Sequence, residues 1–208
     1  MPKKVLKWAN DEAHVQSSEN MDYNDIFTFI EEHVKEGIFV RLHTGDPSIY
    51  STIARQIDFL KSKAIEYEVI PGVTAAFAAA SSLGIEYTIP GLSQTLIISR
   101  IPGNTPNPEP LINLLNCKNS SLVFYLSVRL MKKLKETAIN EVGYAEETPC
   151  WVIEKASWPE ERVIKGTLKD ITIKVDDAGI KGNALVFLGD FLHQKETVSS
   201  HLYSKKRV

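Results

Sequence analysis

The sequence predicts an α/β protein made of two α/β halves. Two strand-to-helix turns follow one another closely, RLHTGDPSIY at residues 41–50 and VIPGVTAA at residues 69–76. Both carry Gly and Pro where a strand would end, and apolar residues at helical spacing follow. A strand–helix–strand–helix order is typical of a parallel sheet with right-handed crossovers. The carboxyl ends of neighbouring strands in such a sheet commonly form a ligand crevice, which is therefore predicted at these two turns.

The bulk composition is that of a globular protein without a strong charge bias. The chain has 208 residues, of which 43% are hydrophobic and 24% charged, and its formal net charge is −2. A chain of this length can bury a sizeable core. The net charge argues against a protein that binds nucleic acid through its overall charge, so no nucleic-acid partner is expected.

The cysteines, the histidines and the first residues predict a reduced, metal-free protein of the cytoplasm. Cys117 and Cys150 are far apart in sequence, which indicates reduced core thiols rather than a disulfide framework. The five histidines show no metal-ligand spacing. No run of residues is long and apolar enough to span a membrane, and residues 1–8 lack the apolar core of a signal peptide.

Apolar periodicity predicts the helices and strands of the first half. The segment Asp22–Glu36 is expected to be a helix, because its apolar residues recur at three- and four-residue steps. The β-branched run Ile38–Leu42 predicts a buried strand. The other predictions are a helix or short strand at Lys4–Trp8, a helix at Ser48–Lys63, a strand at Tyr67–Ile70 and a helix at Thr74–Leu83 closed by Gly84.

A linker near Pro90 is predicted to separate this half from a second series of elements. Strands are expected at Gln94–Ser99, Leu122–Leu126, Trp151–Glu154, Arg162–Lys165 and Leu185–Gly189. The third and fourth of these are expected to pair around the turn at Trp158-Pro159. The remaining predictions are helices at Leu111–Leu115 and Leu130–Ile139, a Pro-rich loop at Pro102–Pro110 and a mobile tail at Ser199–Val208.

The first turn, TGDPS at residues 44–48, has two explanations. In one, Asp46 is the N-cap of the following helix and Pro47 occupies its first position, which the loop alone favours. In the other, Gly45 lets a ligand lie against the backbone while the N–H groups of the helix start face it. No Lys follows in the loop, so it is not a phosphate-binding Walker loop.

The second turn, PGVTAA at residues 71–76, has the same two explanations. Thr74 is a natural N-cap, whereas the small side chains of Ala75 and Ala76 leave room for a flat ring against the helix start. The two turns together favour ligand binding more than either does alone. A third segment, ASWPEE at residues 156–161, is by default a turn between strands.

The residues alone identify no catalytic group. The sequence shows no Ser-His-Asp set, no metal cluster and no recognisable pair of catalytic carboxylates. Several basic residues are candidates for holding an acidic substrate, although most are expected to form a solvated face. They are Arg41, Arg100, Arg129, Lys132, Lys133 and Lys155.

Four motifs together resemble the tetrapyrrole methylase family. They are RLHTGDPSIY, EVIPGVTAAFAAASSLG, the SQT of Ser93–Thr95, and EKASWPEERVIKGTL. The resemblance covers nearly the whole chain and is nearest to the branch that acts on precorrin-4 or cobalt-precorrin-4. It implies two α/β domains of the tetrapyrrole methylase type, residues 1–90 and 91–208, with S-adenosylmethionine held in the cleft between them.

The resemblance also implies which residues bind the cofactor and the substrate. The cofactor residues would be Thr44, Gly45, Asp46 and Ile49 in the first turn, Thr74 and Ala75 in the second, Leu126 in the VFYL strand, and Ala156 beside the adenine. Arg100 and Arg129 are the candidates for holding the carboxylates of the substrate.

The function implied by the resemblance is S-adenosylmethionine-dependent methylation of a corrin-ring precursor at carbon 11, in cobalamin biosynthesis, by a homodimer. Two alternatives stay open: a sister tetrapyrrole methyltransferase and a non-catalytic truncated remnant. An RNA methyltransferase of similar fold is disfavoured by the net charge of −2.

The sequence departs from the family pattern in two places. Family members open with an apolar strand and a GxGxGD loop, whereas PKKVLKWANDEAHV at residues 2–15 resembles a segment inside a full-length member. We therefore expect an incomplete N-terminal domain with an unpaired strand edge or an uncovered apolar face. Asn104 stands where relatives are expected to carry a basic residue, which would weaken one carboxylate contact.

Overall fold

The computed structural model describes residues 3–105 and 107–193. The chain divides into two compact units, Met1–Thr74 (unit 1) and Ala75–Val208 (unit 2). This division falls within the second glycine-bearing turn, and the domain boundary near Pro90 stays a prediction. The tail Ser199–Val208, which the sequence predicts to be mobile, lies outside the described residues.

The described part of unit 1 contains two α-helices and one short 3-10 helix. They are the 3-10 helix Lys3–Trp8, α1 at Tyr23–His33 and α2 at Ile53–Ser62. Helix α1 confirms the sequence prediction, and its N-cap is Asp22, whose carboxylate accepts the N–H groups of Asn24 and Asp25. The rings of Phe27 on α1 and Phe59 on α2 stack with their centroids 4.2 Å apart, so aromatic packing joins the two helices.

The two strands predicted in unit 1 are wrong. Residues 38–42 and 65–70 are not in strands, and no strand is found in the described part of unit 1. A β-branched sequence forms a strand only where a neighbour completes its backbone hydrogen bonds, and neither segment has one. The parallel sheet expected for the first half is therefore also wrong.

Exposed apolar side chains accompany these extended segments. Ile38 is 96% exposed and Val40 is 68% exposed, whereas an edge-to-edge neighbour would cover such side chains. Ile70 and Val73, which follow the second extended segment, are 65% and 66% exposed. So many exposed apolar side chains are uncommon on the surface of a folded protein.

Helix α2 begins later than the sequence predicts, and Asp46 is not its N-cap. The helix starts at Ile53, after two residues with left-handed backbone, Tyr50 at φ 53° and Thr52 at φ 58°. Such φ values end a right-handed helix. Residues 46–51 instead form turns, which leaves Asp46 available for the contact described below.

Unit 2 is built around one five-stranded sheet. Its strands are β1 at Thr95–Ser99, β2 at Ser120–Phe124, β3 at Pro149–Glu154, β4 at Arg162–Thr167 and β5 at Ala184–Leu188. These confirm the five strands predicted for the second half, with ends shifted by up to two residues. The spatial order is β1-β2-β5-β3-β4, with β1 and β2 parallel and every other pair antiparallel. The pairing of β3 with β4 is confirmed, because seven connecting residues are too few for a parallel crossover.

Helices cover both faces of this sheet. They are α3 at Ala75–Leu83, α4 at Leu111–Asn116, α5 at Met131–Glu136 and α6 at Ile171–Asp177, with short helical turns at Val128–Leu130, Thr137–Glu141 and Asp190–Leu192. The sequence does not predict α6, because a helix of two turns is too short to show a clear period. Helix α3 closes at Gly84, whose φ is +63°, as predicted.

The core of unit 2 lies on the two sides of β2 and β5, every residue of which is buried. One side packs against α4, α5 and α6. The other side, which we call the α3 face, holds the buried residues Ala76, Ala79, Ala80, Tyr87, Ile89, Val123, Ile153, Leu185, Phe187, Phe191 and Leu192. Helix α3 can lie close to the sheet because its inner residues are alanines.

Only one of the two cysteines is in the core. Cys150 on β3 is fully buried, and its burial raises the pKa of its thiol. Cys117 is exposed, so its prediction as a core thiol is wrong. Across the described residues, every helix is too short or too polar to cross a membrane.

Candidate functional site

The two glycine-bearing turns lie against each other in unit 1. The N–H of Gly72 donates to Oδ2 of Asp46 at 2.9 Å. The backbones meet so closely that a Cβ at Gly72 would lie 2.2 Å from the carbonyl oxygen of Gly45. The prediction that the turns are neighbours is therefore confirmed for Gly45 and Gly72, and glycine at position 72 is what permits the approach.

The carboxylate of Asp46 is the centre of this contact. Besides the N–H of Gly72, it accepts the N–H of Ser48 at 2.8 Å and the Ser48 hydroxyl. The Ser48 hydroxyl, then the N–H groups of Gly72 and Ser48, hold the pKa of Asp46 below its ordinary value. Asp46 therefore stays ionised at neutral pH with both oxygens engaged by the protein.

The lowered pKa of Asp46 predicts how the contact between the turns responds to acid. Because the folded pKa lies below the ordinary 3.8, the hydrogen bond stabilises the turns above that pH and is lost as the pH falls through the folded value. We expect the amide chemical shift of Gly72 to change with its midpoint below pH 3.8. A change centred above pH 3.8 in a two-dimensional NMR titration would contradict this expectation.

The other predicted cofactor residues of unit 1 differ in exposure. Thr44 and Gly45 are exposed, and Gly45 has left-handed backbone with φ 71°. Ile49 is half-buried, and Thr74 is buried immediately before the first residue of α3. The first turn therefore presents backbone and small side chains, while Thr74 is held inside the fold.

His43, directly before the first turn, was not singled out by the sequence analysis. Its Nε2 is buried and lacks a hydrogen-bond partner among the described residues. Burial, and then the charge of Arg41, lower the pKa of His43, so the imidazole is neutral at pH 7. Sequence reasoning missed it because a lone histidine carries no ligand spacing.

In unit 2, hydrogen bonds to two tyrosines fix the start of α3. The N–H of Ala76 donates to Oη of Tyr125 at 2.7 Å, and the hydroxyl of Tyr87 donates to the carbonyl of Ala76 at 2.6 Å. Burial, and to a lesser extent Tyr125, raise the pKa of Tyr87, which keeps that hydroxyl protonated. The start of α3 is thereby joined to the end of β2, where Leu126 follows Tyr125.

The predicted cofactor residues Ala75 and Ala156 share one neighbourhood with Tyr125, which the sequence does not single out. Ala75, Tyr125 and Ala156 all pack against the buried residues of the α3 face. Leu126 is 72% exposed and has left-handed backbone at φ 54°, which is unusual for a bulky residue. The structure thus brings Ala75, Ala156 and the segment carrying Leu126 together.

Left-handed backbone recurs beside the predicted cofactor residues. Lys155 at φ 51° and Ser157 at φ 68° flank Ala156, and Tyr50 and Thr52 follow Ile49. Such conformations persist only where the surrounding structure holds them, and they cluster at ligand sites. Of the seven non-glycine residues with positive φ in the described part of the chain, five lie within three residues of Ile49, Leu126 or Ala156.

The two candidate substrate residues follow the parallel pair of strands. The N–H of Tyr125 donates to the carbonyl of Ser99, and the N–H of Ile101 donates to the Ser127 hydroxyl, both at 2.8 Å. Arg100 lies between Ser99 and Ile101, the two residues that make these hydrogen bonds on the β1 side. Arg129 is exposed, and its Nε donates to the carbonyl of Lys181 at 2.7 Å, which orients its guanidinium.

Comparisons with known proteins show which proteins this chain is similar to. The model of the family described as tetrapyrrole (corrin/porphyrin) methylases matches residues 1–172. The chain is 43% identical over 204 residues to a cobalt-precorrin-4 C(11)-methyltransferase of Methanocaldococcus jannaschii, covering 97% of this chain and 78% of that relative. It is 36% identical to the Priestia megaterium protein of the same name, covering 93% of this chain and 76% of the relative.

Solved structures show the same fold. The crystal structure of a cobalt-precorrin-4 methyltransferase superimposes with a TM-score of 0.87 at 35% identity, covering 92% of this chain and 80% of that one. Uroporphyrin-III C-methyltransferase of Thermus thermophilus, solved with S-adenosylhomocysteine, has a TM-score of 0.65 at 24% identity, covering 82% and 74% of the two chains. At that identity the second likeness concerns the fold alone. This chain therefore belongs to the tetrapyrrole (corrin/porphyrin) methylase family.

Proposed function

We propose that the chain transfers a methyl group from S-adenosylmethionine to carbon 11 of a corrin-ring precursor, precorrin-4 or cobalt-precorrin-4, in cobalamin biosynthesis. The observation that carries this proposal is the 43% identity, over 97% of the chain, to a cobalt-precorrin-4 C(11)-methyltransferase. The TM-score of 0.87 to a cobalt-precorrin-4 methyltransferase supports it.

The residues present fit the cofactor. Gly45 and Gly72 have no side chain where their turns meet, and the exposed backbone at Gly45 can lie against a ligand. Leu126 presents an exposed apolar side chain that a ring can cover. We propose that the cofactor is held by Thr44, Gly45, Asp46, Ile49, Thr74, Ala75, Leu126 and Ala156. Asp46 takes part through the shape of the turn, because Ser48 and Gly72 already engage its carboxylate.

The chemistry requires mainly that two bound molecules be aligned. When bound, S-adenosylmethionine supplies a methyl group that its sulfonium has already activated. The residues of this chain bind and orient, and such alignment can lower a barrier by about 7–11 kcal/mol. We propose that Arg100 and Arg129 bind carboxylates of the substrate, since guanidinium groups bind carboxylates in a bidentate manner through two parallel hydrogen bonds.

Binding of S-adenosylhomocysteine to the purified chain tests the proposal. By calorimetry, the unmodified chain should bind, and Gly45→Trp should bind at least about a hundredfold more weakly because the new side chain fills the turn. Gly182→Trp is the control, because nothing lies within 4 Å of the side-chain position at Gly182. A folded, unmodified chain that gives no binding heat would contradict the proposal.

Two other functions are distinguished by the reaction product. A sister tetrapyrrole methyltransferase would bind the cofactor equally well, and only the mass and the methylated position of the product distinguish it. A non-catalytic remnant is the second alternative. A remnant would give no methylated product, and Gly45→Trp would change nothing functional.

We further propose that the protein acts in the cytoplasm as a homodimer. A second copy would cover exposed apolar side chains such as Ile38 and Val40. Sedimentation equilibrium on the purified chain tests the dimer, and a monomer at all concentrations would contradict it.

A further inference from the structure

The turn between β3 and β4, residues 155–161, has a conformation that needs support. Within it, the N–H of Trp158 donates to the carbonyl of Lys155 at 2.9 Å, and the N–H of Glu161 donates to the carbonyl of Trp158 at 3.0 Å. Lys155 and Ser157, on either side of Ala156, both have left-handed backbone. Two such residues this close together stay in place only if further contacts hold them.

Glu161 supplies those contacts from the end of the turn. Its Oε2 accepts the N–H of Ser157 at 2.6 Å, and its Oε1 accepts the hydroxyl of Ser82 on α3. Both donors are neutral, and both carboxylate oxygens are used. One half-buried carboxylate therefore joins the turn that carries Ala156 to the helix that begins at Ala75.

Helix α3 is thereby held by hydrogen bonds at two points. Near its start, the N–H of Ala76 is held by Tyr125, next to Leu126. Near its end, Ser82 is held by Glu161. Each of these hydrogen bonds joins α3 to a segment with a proposed cofactor residue, so α3 connects the segment of Leu126 with that of Ala156.

We infer that Glu161 is a positioning residue for cofactor binding. It holds the 155–161 turn in the conformation that presents the backbone of Ala156, and it fixes that turn relative to α3. Without the carboxylate, the N–H of Ser157 loses its acceptor and the left-handed backbone on both sides of Ala156 relaxes. The inference rests on the proposed function, because the contact between Ala156 and the adenine belongs to that proposal.

Three variants test this role. Glu161→Ala removes both hydrogen bonds, Glu161→Gln keeps an oxygen that can accept the N–H of Ser157, and Glu160→Ala alters the exposed neighbour. Calorimetry with S-adenosylhomocysteine, at a temperature where circular dichroism shows every variant folded, should give a Kd raised about tenfold for Glu161→Ala. We expect Glu161→Gln to restore most of the affinity and Glu160→Ala to leave it unchanged.

Two further readouts separate positioning from general stability. Adenosine alone should lose affinity by the same factor in Glu161→Ala, because the affected contact is at the adenine end. In the cofactor-free protein, the amide proton of Ser157 should exchange faster in Glu161→Ala than in the other two variants. Should Glu161→Ala fail to fold, Ser82→Ala removes only the tie to α3 and should raise the Kd about threefold.

The outcomes distinguish a failure of the role of Glu161 from a failure of the proposed function. Equal affinities of the unmodified chain, Glu161→Ala and Ser82→Ala would overturn the role of Glu161 and leave the proposed function intact. A folded, unmodified chain that binds neither S-adenosylhomocysteine nor adenosine would overturn the proposed function, and the role of Glu161 with it. A loss of affinity that Glu161→Gln does not restore would show that the hydrogen bond to Ser157 is not the cause.

Discussion

Replacing Gly72 by Ala is expected to separate the two turns of unit 1 and to weaken cofactor binding by at least about tenfold. The added Cβ would lie 2.2 Å from the carbonyl oxygen of Gly45 and 3.2 Å from its carbonyl carbon, and neither atom belongs to a side chain that could rotate away. One backbone must move, which also breaks the hydrogen bond from Gly72 to Asp46. Forcing an extra methyl group into a close contact typically costs about 1–3 kcal/mol of unfolding free energy.

The effect of Gly72→Ala should be steric rather than conformational. Gly72 is not among the glycines with positive φ, so alanine can adopt its backbone conformation. Gly182→Ala is the matched control, because it also has ordinary φ and nothing within 4 Å of the added methyl group. Calorimetry with S-adenosylhomocysteine and amide exchange at residues 44–48 provide the measurement. Unchanged exchange and affinity in Gly72→Ala would refute the close approach of the two backbones.

The sequence predicts the strands of unit 2 well because each carries its own local signal. The strand β5 is a short, continuous apolar run, β2 ends in the apolar residues Leu122, Val123 and Phe124, and all residues of both strands are buried. The order β1-β2-β5-β3-β4 could not be read in the same way, since it depends on which distant strands pair. The spacing of the residues in β5 does not indicate that this strand lies antiparallel between β2 and β3.

Unit 1 shows the opposite case, in which local preference and structure disagree. Residues 38–42 are as β-branched as a buried strand, yet Ile38 is 96% exposed. Strand preference describes how well a residue fits a half-buried pleated surface, and it has no effect where that surface is absent. The late start of α2 has a similar cause, because left-handed backbone at Tyr50 and Thr52 cannot be inferred from their residue types.

The candidate site was predicted in part. Glycine and proline mark the two turns, so Gly45 and the second turn were found from the residues alone. The contacts that organise the site join residues far apart in sequence: Asp46 with Gly72, Ala76 with Tyr125, and Ser82 with Glu161. Hydrogen bonds across 26, 49 and 79 positions have no periodicity, and only the folded chain reveals them.

Truncating Phe187 to Ala is expected to cause a large loss of stability in unit 2, about 3–5 kcal/mol. Phe187 lies on β5 with no exposed surface, and its ring is parallel to that of Tyr87 with centroids 6.3 Å apart. The cavity left by the ring would open beneath α3, because Phe187 belongs to the buried residues of the α3 face. Tyr87 also donates to the carbonyl of Ala76, so the loss should reach the start of α3 and weaken cofactor binding as well.

Phe77→Ala is the matched control for Phe187→Ala. Phe77 also packs against Tyr87, with centroids 5.9 Å apart, but it lies on α3 and is 51% exposed. Removing it leaves no closed cavity, so the unfolding free energy should fall by no more than about 1 kcal/mol. Urea unfolding followed by far-ultraviolet circular dichroism measures both variants. Equal losses would mean that burial in the α3 face does not determine the stability of unit 2, and the packing argument for the start of α3 would then fail.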